Sequence, residues 1–330
     1  VSADIDHRPT GQKYGFYGRL NKEFPSQFIL DITEVCNLAC THCPHPAFSV
    51  SEHYDARMLD PELNAKLVDE VRVHGAGSTQ YIRYTSNGEP TAHPKCFDML
   101  EYAVKNSGTT VTLTTNGKTL DAARCERLLL TGVNLVDISL DAHTPGTYAK
   151  IRVRGDLNVT RPNVLNLIKR SREVGGLTKV VVSYVEQPTN ESETAEFEKY
   201  WKDQGADYVV VRRLHSCSGA NKDLAAIRRK SAPMRRPCLY PWERMVLSAR
   251  GDLSFCPSDW VHGSVVADYR TTTIRETWNG DFYRSLREAH LKNDFKKHPF
   301  CGQCPDWQAT RWPEEGRSYA DMVSEFKETE

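Results

Sequence analysis

The amino-acid sequence predicts an α/β chain, a partial (β/α)6 barrel followed by a smaller second domain, and three observations predict it. Short apolar, β-branched runs alternate with longer amphipathic ones over the first two-thirds of the 330 residues, the pattern of repeated β-α units around a parallel sheet. Six strand-like runs each end in polar or glycine-containing sequence, and in a barrel those ends share the carboxyl-terminal face, where such folds keep their chemistry. A closed barrel needs eight units, so six leave it open. After Gly219 the texture changes to sequence marked by cysteine, tryptophan and proline. The length itself suits about two domains of roughly 150 residues.

The strands are expected at 27–33 (QFILDIT), 79–85 (TQYIRYT), 109–115 (TTVTLTT), 135–141 (LVDISLD), 178–185 (TKVVVSYV) and 207–214 (DYVVVRRL). Helices are expected between them at 61–74, 94–106, 121–131, 161–174 and 192–204, several opened by Asp, Thr or Pro and closed by Gly, as caps require. The strand-end loops are SNGEP 86–90, TNG 115–117, SLDA 139–142, EQPTN 186–190 and HSCSG 215–219. Residues 1–26 then form an N-terminal extension, 27–227 the barrel, 228–315 the second domain and 316–330 a tail read as a surface helix or frayed end. The second domain opens on a basic, linker-like stretch, RRKSAPMRRP 228–237, and carries short strands such as RMVLS and DLSFC.

Lys+Arg and Asp+Glu both total 43, so the charge balance favours neither nucleic acid nor an anionic membrane as partner. A small, largely uncharged substrate fits better. No run of about 18 apolar residues occurs and the first residues lack the basic and apolar regions of a signal peptide, so the expectation is a soluble cytoplasmic protein. A reducing cytoplasm disfavours disulfides, so the ten cysteines ask for a metal or redox explanation.

Three of them, Cys36, Cys40 and Cys43, fall within EVCNLACTHCP 34–44 in a C-x3-C-x2-C spacing just after the first strand. Zinc prefers four ligands. Three thiolates instead suit three corners of a 4Fe-4S cluster, with the fourth iron left open for chemistry. Four more, Cys238, Cys256, Cys301 and Cys304, form a wide set ending in C-x2-C. By spacing alone a four-cysteine zinc site fits these as well as a cluster does. Cys96 and Cys125 fall in helix-like stretches and read as small hydrophobes.

On the front cysteines the sequence resembles the radical S-adenosylmethionine (SAM) superfamily, whose hallmark is that spacing after the first strand of a partial barrel. The likeness continues in Ser86-Asn87-Gly88-Glu89-Pro90, which stands where the family carries Gly-Gly-Glu-Pro beside the SAM amino group, with a departure at the first Gly. It extends to LTTNG 113–117 and ISLDA 138–142, so that Asn116, Ser139 and Asp141 are expected to line the SAM site, with Arg213 a further contact. The resemblance implies SAM and two 4Fe-4S clusters, one binding SAM and one auxiliary. The rear four cysteines resemble the shortened, twitch form of the family's SPASM domain. GDLSFCPSDW 251–260 with CGQC 301–304 resembles the branch holding aminocyclitol dehydrogenases and carbohydrate epimerases. The family's chemistry is reductive cleavage of SAM to a 5′-deoxyadenosyl radical that takes hydrogen from substrate.

Cys217, in RRLHSCSG just beyond the sixth strand, pairs with neither set. It reads either as a small residue that fits or as a thiol that returns hydrogen to a substrate radical from the opposite face, as a cysteine does in the family's epimerases. Arg212, Arg213 and His215 flank it. The reading carried forward is an epimerase acting at a carbinol carbon of a sugar or aminocyclitol, with Cys217 the hydrogen donor. The alternative is a dehydrogenase making a ketone, and a third is a peptide-modifying enzyme. The implied partners are the small-molecule substrate and an electron donor such as flavodoxin or ferredoxin, with no nucleic acid and no membrane.

Overall fold

All six expected strands form, and they lie in the expected parallel order. The computed structural model describes residues 6–7, 13–85, 87–230, 235–313 and 315–328. β1 (Gln27–Leu30), β2 (Tyr81–Tyr84), β3 (Thr110–Thr115), β4 (Leu135–Ser139), β5 (Lys179–Glu186) and β6 (Tyr208–Arg213) pair in sequence, each parallel to the next. Helices α1 (Pro61–His74), α2 (Cys96–Asn106), α3 (Ala122–Leu130), α4 (Leu157–Glu173) and α5 (Thr194–Asp203) connect them. α4 begins four residues before the expected 161, because Asp156 caps it by accepting the Asn158 N–H at 2.8 Å and Pro162 is carried inside the helix.

Alternation along the strands separates two packed layers. Phe28, Leu30, Ile82, Tyr84, Val111 and Leu113 pack outward on the buried faces of the helices, where Leu67, Leu100, Leu128 and Leu167 meet them. Ile29, Tyr81, Leu135 and Val181 face the other way, into the barrel.

The sheet does not stop at six strands. β7 (Arg244–Leu247) pairs parallel to β1 with Gln27 opposite Arg244, and β8 (Asp252–Ser254) and β9 (Val265–Asp268) add antiparallel beyond it. The cysteine-rich segment therefore extends the barrel's own sheet past its first strand. Helix α6 (Lys222–Lys230) runs through the start of the stretch expected to be a linker, whose residues 231–234 lie outside those described.

The tail is neither frayed nor only a surface helix. α7 (Asp281–Lys292) packs within the rear region, and α8 (Tyr319–Glu328) closes on the barrel interior. Ala320, Met322 and Val323 are buried against Ile29, Tyr81, Leu135 and Val181, with the Tyr319 ring 5.3 Å from that of Tyr81. Arg83 lies over the Tyr319 ring at 3.9 Å.

Above that plug the interior is polar. Asp137 is fully buried and pairs with Arg83 at 3.0 Å and Arg212 at 2.8 Å, while Ser183 donates to its other oxygen. Burial alone would raise its pKa, but Arg212 and then Arg83 outweigh burial and hold it below the usual carboxylate value. The stabilisation it contributes is complete above about pH 4. It is lost as the pH falls through the lowered folded value. Asp137→Ala leaves two guanidinium groups without their anion. Urea unfolding should show a loss of about 3 kcal/mol, the low end for a broken buried pair because both arginines reach some solvent.

Candidate functional site

The cysteine segment leaves β1 and crosses the carboxyl ends of the strands, pinned on both sides. Ala39 and Thr41 donate backbone N–H groups to Val153 and Ile151 carbonyls, and Glu89 donates to the Val35 carbonyl, each at 2.9 Å. A turn from Cys40 to Cys43, closed at 3.2 Å, gathers the last two thiols. Burial pushes all three thiols up, Cys36 to about 11, and Cys36 and Cys43 both feel the charge of Cys40. Displacing the protons then falls to whatever metal binds there.

Beneath Cys40 lies a buried ion pair. Arg152 Nη1 is 3.6 Å from the Cys40 Sγ, and its Nη2 is 2.5 Å from Asp141. Asp141 holds a left-handed backbone at φ 62 and accepts the Val185 N–H at 2.7 Å, with His42 3.4 Å away. Asp141 thus supports the cysteine segment from below.

Gly88 explains the close approach of the second loop. A Cβ built there would stand 2.1 Å from the Thr33 carbonyl oxygen and 2.6 Å from that of Val35, so only glycine lets the two backbones meet. Glu89 has its carboxylate fully engaged: it accepts Thr91 N–H at 3.1 Å, the hydroxyls of Thr91 at 2.8 Å and Thr115 at 2.5 Å, and Asn116 N–H at 2.8 Å. Its side chain braces the second and third loops. Asn87 donates its N–H to Asp31 at 3.2 Å and its side chain to the Asp259 carbonyl at 2.9 Å, while Asn116 donates to the Asn37 side chain at 2.7 Å. Ser139 ends β4 half-buried, and Ser86 lies outside the described residues. Of the two strand-end arginines it is Arg212 that enters the barrel; Arg213 stands exposed on the opposite face of β6.

The four rear cysteines converge. Cys238, Cys256, Cys301 and Cys304 all line one cavity of about 120 Å³ walled by Tyr240, Phe255, Phe300 and Trp307. The Cys301–Cys304 turn closes at 3.1 Å, and Arg235 donates to the Cys301 carbonyl at 2.6 Å. Burial raises all four thiols, Cys238 to about 11. Among the described residues no three His, Cys, Asp or Glu side chains stand close enough together to hold a single ion. A closed, aromatic-walled space lined by four thiols suits an iron-sulfur group, and three thiols beside the Gly88 backbone suit a second with one position left over.

Between the two sets stands the segment after β6. Cys217 is half-buried, raises the Cys43 thiol electrostatically and is not among the residues lining the rear cavity, whereas His215 and Ser218 are. Cys217 and Ser218 take φ 53 and φ 58, consecutive left-handed residues with side chains. Such conformations cost about 1–3 kcal/mol each. Cys96 and Cys125 are fully buried in the helical layer, as expected of small hydrophobes.

Sequence reasoning did not find Arg152, His42, Arg250 or Asp306. Arg250, in the β7–β8 turn, donates to Glu34 at 2.7 Å and to the His53 carbonyl at 2.6 Å, and so fastens the cysteine segment to the rear region. The one signal for Asp306 was its place two residues after the last cysteine.

The sequence profile of the radical SAM superfamily matches residues 30–199, and that of an iron-sulfur cluster-binding domain, SPASM, matches residues 238–305. The tungsten-containing aldehyde ferredoxin oxidoreductase cofactor-modifying protein of Pyrococcus furiosus is 28% identical over 190 residues, which cover 56% of this chain and 50% of that protein. The chain spans about half the length of the curated relatives it matches. In solved structures, BtrN in complex with AdoMet and 2-DOIA superposes with a TM-score of 0.55 at 16% identity, covering 84% of this chain and 92% of BtrN. SuiB of Streptococcus suis, bound to the precursor peptide SuiA, gives a TM-score of 0.64 at 16% identity, covering 92% and 73%. These two likenesses are of fold.

Gly88→Ala forces the Thr33–Val35 backbone away and with it Cys36. Iron and acid-labile sulfide per chain after anaerobic reconstitution should fall by the front set's share, with the rear set's share retained.

Proposed function

The chain belongs to the radical SAM superfamily, and from that premise we propose that it is an epimerase inverting a carbinol carbon of a sugar or aminocyclitol-containing natural product. Cys36, Cys40 and Cys43 would hold one 4Fe-4S cluster with SAM at its open position, and Cys238, Cys256, Cys301 and Cys304 a fully ligated auxiliary one. The backbone of Asn87, Gly88 and Glu89, with Asn116 and Ser139, would line the SAM site. Asp141 would act from beneath, through Arg152. When bound, SAM and the front cluster supply a carbon radical that removes a hydrogen atom from substrate.

One observation carries the choice of epimerisation: an eighth thiol, Cys217, stands between the two sets and belongs to neither. In the proposed step its S–H bond breaks and a C–H bond forms on the face opposite the abstraction. The sulfur radical left behind takes one electron from an external donor such as flavodoxin or ferredoxin and one proton from solvent. A thiolate has no hydrogen to give. Burial, and after it the charge of Asp306, pushes the Cys217 thiol up to about 12, so it keeps its hydrogen at neutral pH.

Oxidation to a ketone is the second reading, favoured by the four-thiol cavity that reaches Ser218, next to Cys217. There the substrate radical gives up a proton to solvent and an electron to the auxiliary cluster that the rear thiols would hold, in place of gaining a hydrogen atom. Peptide modification is a third reading, and product mass separates the first two.

The test is anaerobic turnover with SAM and dithionite in heavy water against aminoglycosides and other sugar-containing antibiotics. An epimerase returns a product of unchanged formula carrying one solvent deuterium at carbon, and a dehydrogenase returns one lighter by two hydrogens. Cys217→Ala should reduce inversion to background, and inversion by that variant would sink the reading. Because burial pushes the thiol up to about 12, the rate of inversion at saturating substrate should show no fall between about pH 7 and 9 of the kind that loss of the S–H hydrogen would cause.

A further inference from the structure

The turn that carries Cys217 makes three hydrogen bonds to one side chain of the rear region, Asp306. Asp306 Oδ1 accepts the Ser216 N–H at 3.2 Å, and Oδ2 accepts the Ser216 hydroxyl and the Ser218 N–H at 2.8 Å each. Arg228 Nη1 stands 3.2 Å from Oδ1 and Nη2 donates to the Leu214 carbonyl at 2.9 Å, which ties the carboxylate to the end of β6. Asp306 is in turn fixed by the last cysteine turn, since its own N–H reaches the Cys304 Sγ at 3.4 Å. The Ser218 hydroxyl is 3.5 Å from the Cys256 Sγ, and the Cys217 N–H donates to His215 Nδ1 at 3.2 Å.

These bonds converge on the two residues with positive φ, Cys217 and Ser218. A left-handed pair with side chains persists only where its surroundings over-determine it. Asp306 supplies three of the bonds that do so, and it takes its own position from the segment that holds Cys304.

We infer that Asp306 is a positioning residue for Cys217: the rear cysteine turn sets Asp306, and Asp306 locks the Ser216–Ser218 turn that holds the Cys217 thiol between the rear set and Cys43. The rear thiols then have a second task beside holding a cluster, which is to place the hydrogen donor. The chemical consequence rests on the epimerase reading, whereas the geometry does not.

The experiment uses the cluster-loaded full chain. Iron occupies the seven grouped thiols and Cys96 and Cys125 are buried, so iodoacetamide followed by peptide mass spectrometry reports Cys217. Asp306→Ala should raise its alkylation rate about tenfold, while iron content and the rear cluster's electron paramagnetic resonance stay as in the parent protein. In turnover the same variant should make several times more 5′-deoxyadenosine per inverted product. Asp306→Asn, which keeps an acceptor, should lie closer to the parent. Ser216→Ala removes one bond from the other side and should shift both readouts in the same direction by less, which keeps the test open if Asp306→Ala does not fold. Parent-like alkylation and coupling in the Asp306 and Ser216 variants overturns the inference. Should Cys217→Ala still invert the carbon, the hydrogen-donor role of Cys217 falls alone, and the alkylation rates decide the role of Asp306.

Discussion

The loops gathered round the cysteine segment have to satisfy their backbone N–H groups away from water, and buried carboxylates do this. An unpaired buried N–H costs as much as a lost hydrogen bond, and a carboxylate accepts several at once. Glu34 takes the N–H groups of Asp55 and Arg57 at 3.0 and 3.1 Å, Glu89 those of Thr91 and Asn116, Asp259 those of Val261, Gly263 and Ser264, and Asp306 those of Ser216 and Ser218. Glu34 also carries Arg250 from the far half of the chain, and Asp306 holds a loop that precedes it by 90 residues. The front thiols are placed as a result of these anchors, since no regular element contains them.

Most of the fold was legible because parallel β-α units repeat a local signal. Strands of four to eight residues sit where β-branched runs were read, and Asp60, Asp121 and Asp156 cap α1, α3 and α4. What local pattern could not show was the pairing of β7 with β1, between Arg244 and Gln27, because strand runs carry no address for a partner so distant in sequence. The burial of α8 has the same cause. SYADMVSEFKE is amphipathic and short, which suits a surface as well as a plug, and only the open amino end of the barrel decides between them.

The site divides along the same line. Cysteine spacing is local, so the front set and the C-x2-C of the rear set could be read directly. The arginines could not. Arg152 lies in KIRVRG and Arg250 in SARGD, where nothing nearby tells a buried partner from a solvated charge. Arg212 and Arg213 differ by a single step of strand alternation, and that step needs the register against Asp137 to be resolved. Glu89 stands in the loop after β2, and its motif does not reveal that Thr91, Thr115 and Asn116 engage its carboxylate.

Burial raises the pKa of all eight thiols at the two sets and between them, so the shift itself does not tell a ligand from a donor. Their neighbours do. Cys43, Cys256 and Cys301 each feel two or more other cysteines of their own set, and such crowding of would-be anions is relieved when a metal takes their protons' place. For Cys217 the neighbours are a carboxylate, Asp306, and a guanidinium, Arg228, with burial the larger effect. Nothing there favours a metal. Burial keeps the sulfur protonated and the Asp306 charge adds to it, so the carboxylate that fixes the turn also helps to preserve the hydrogen.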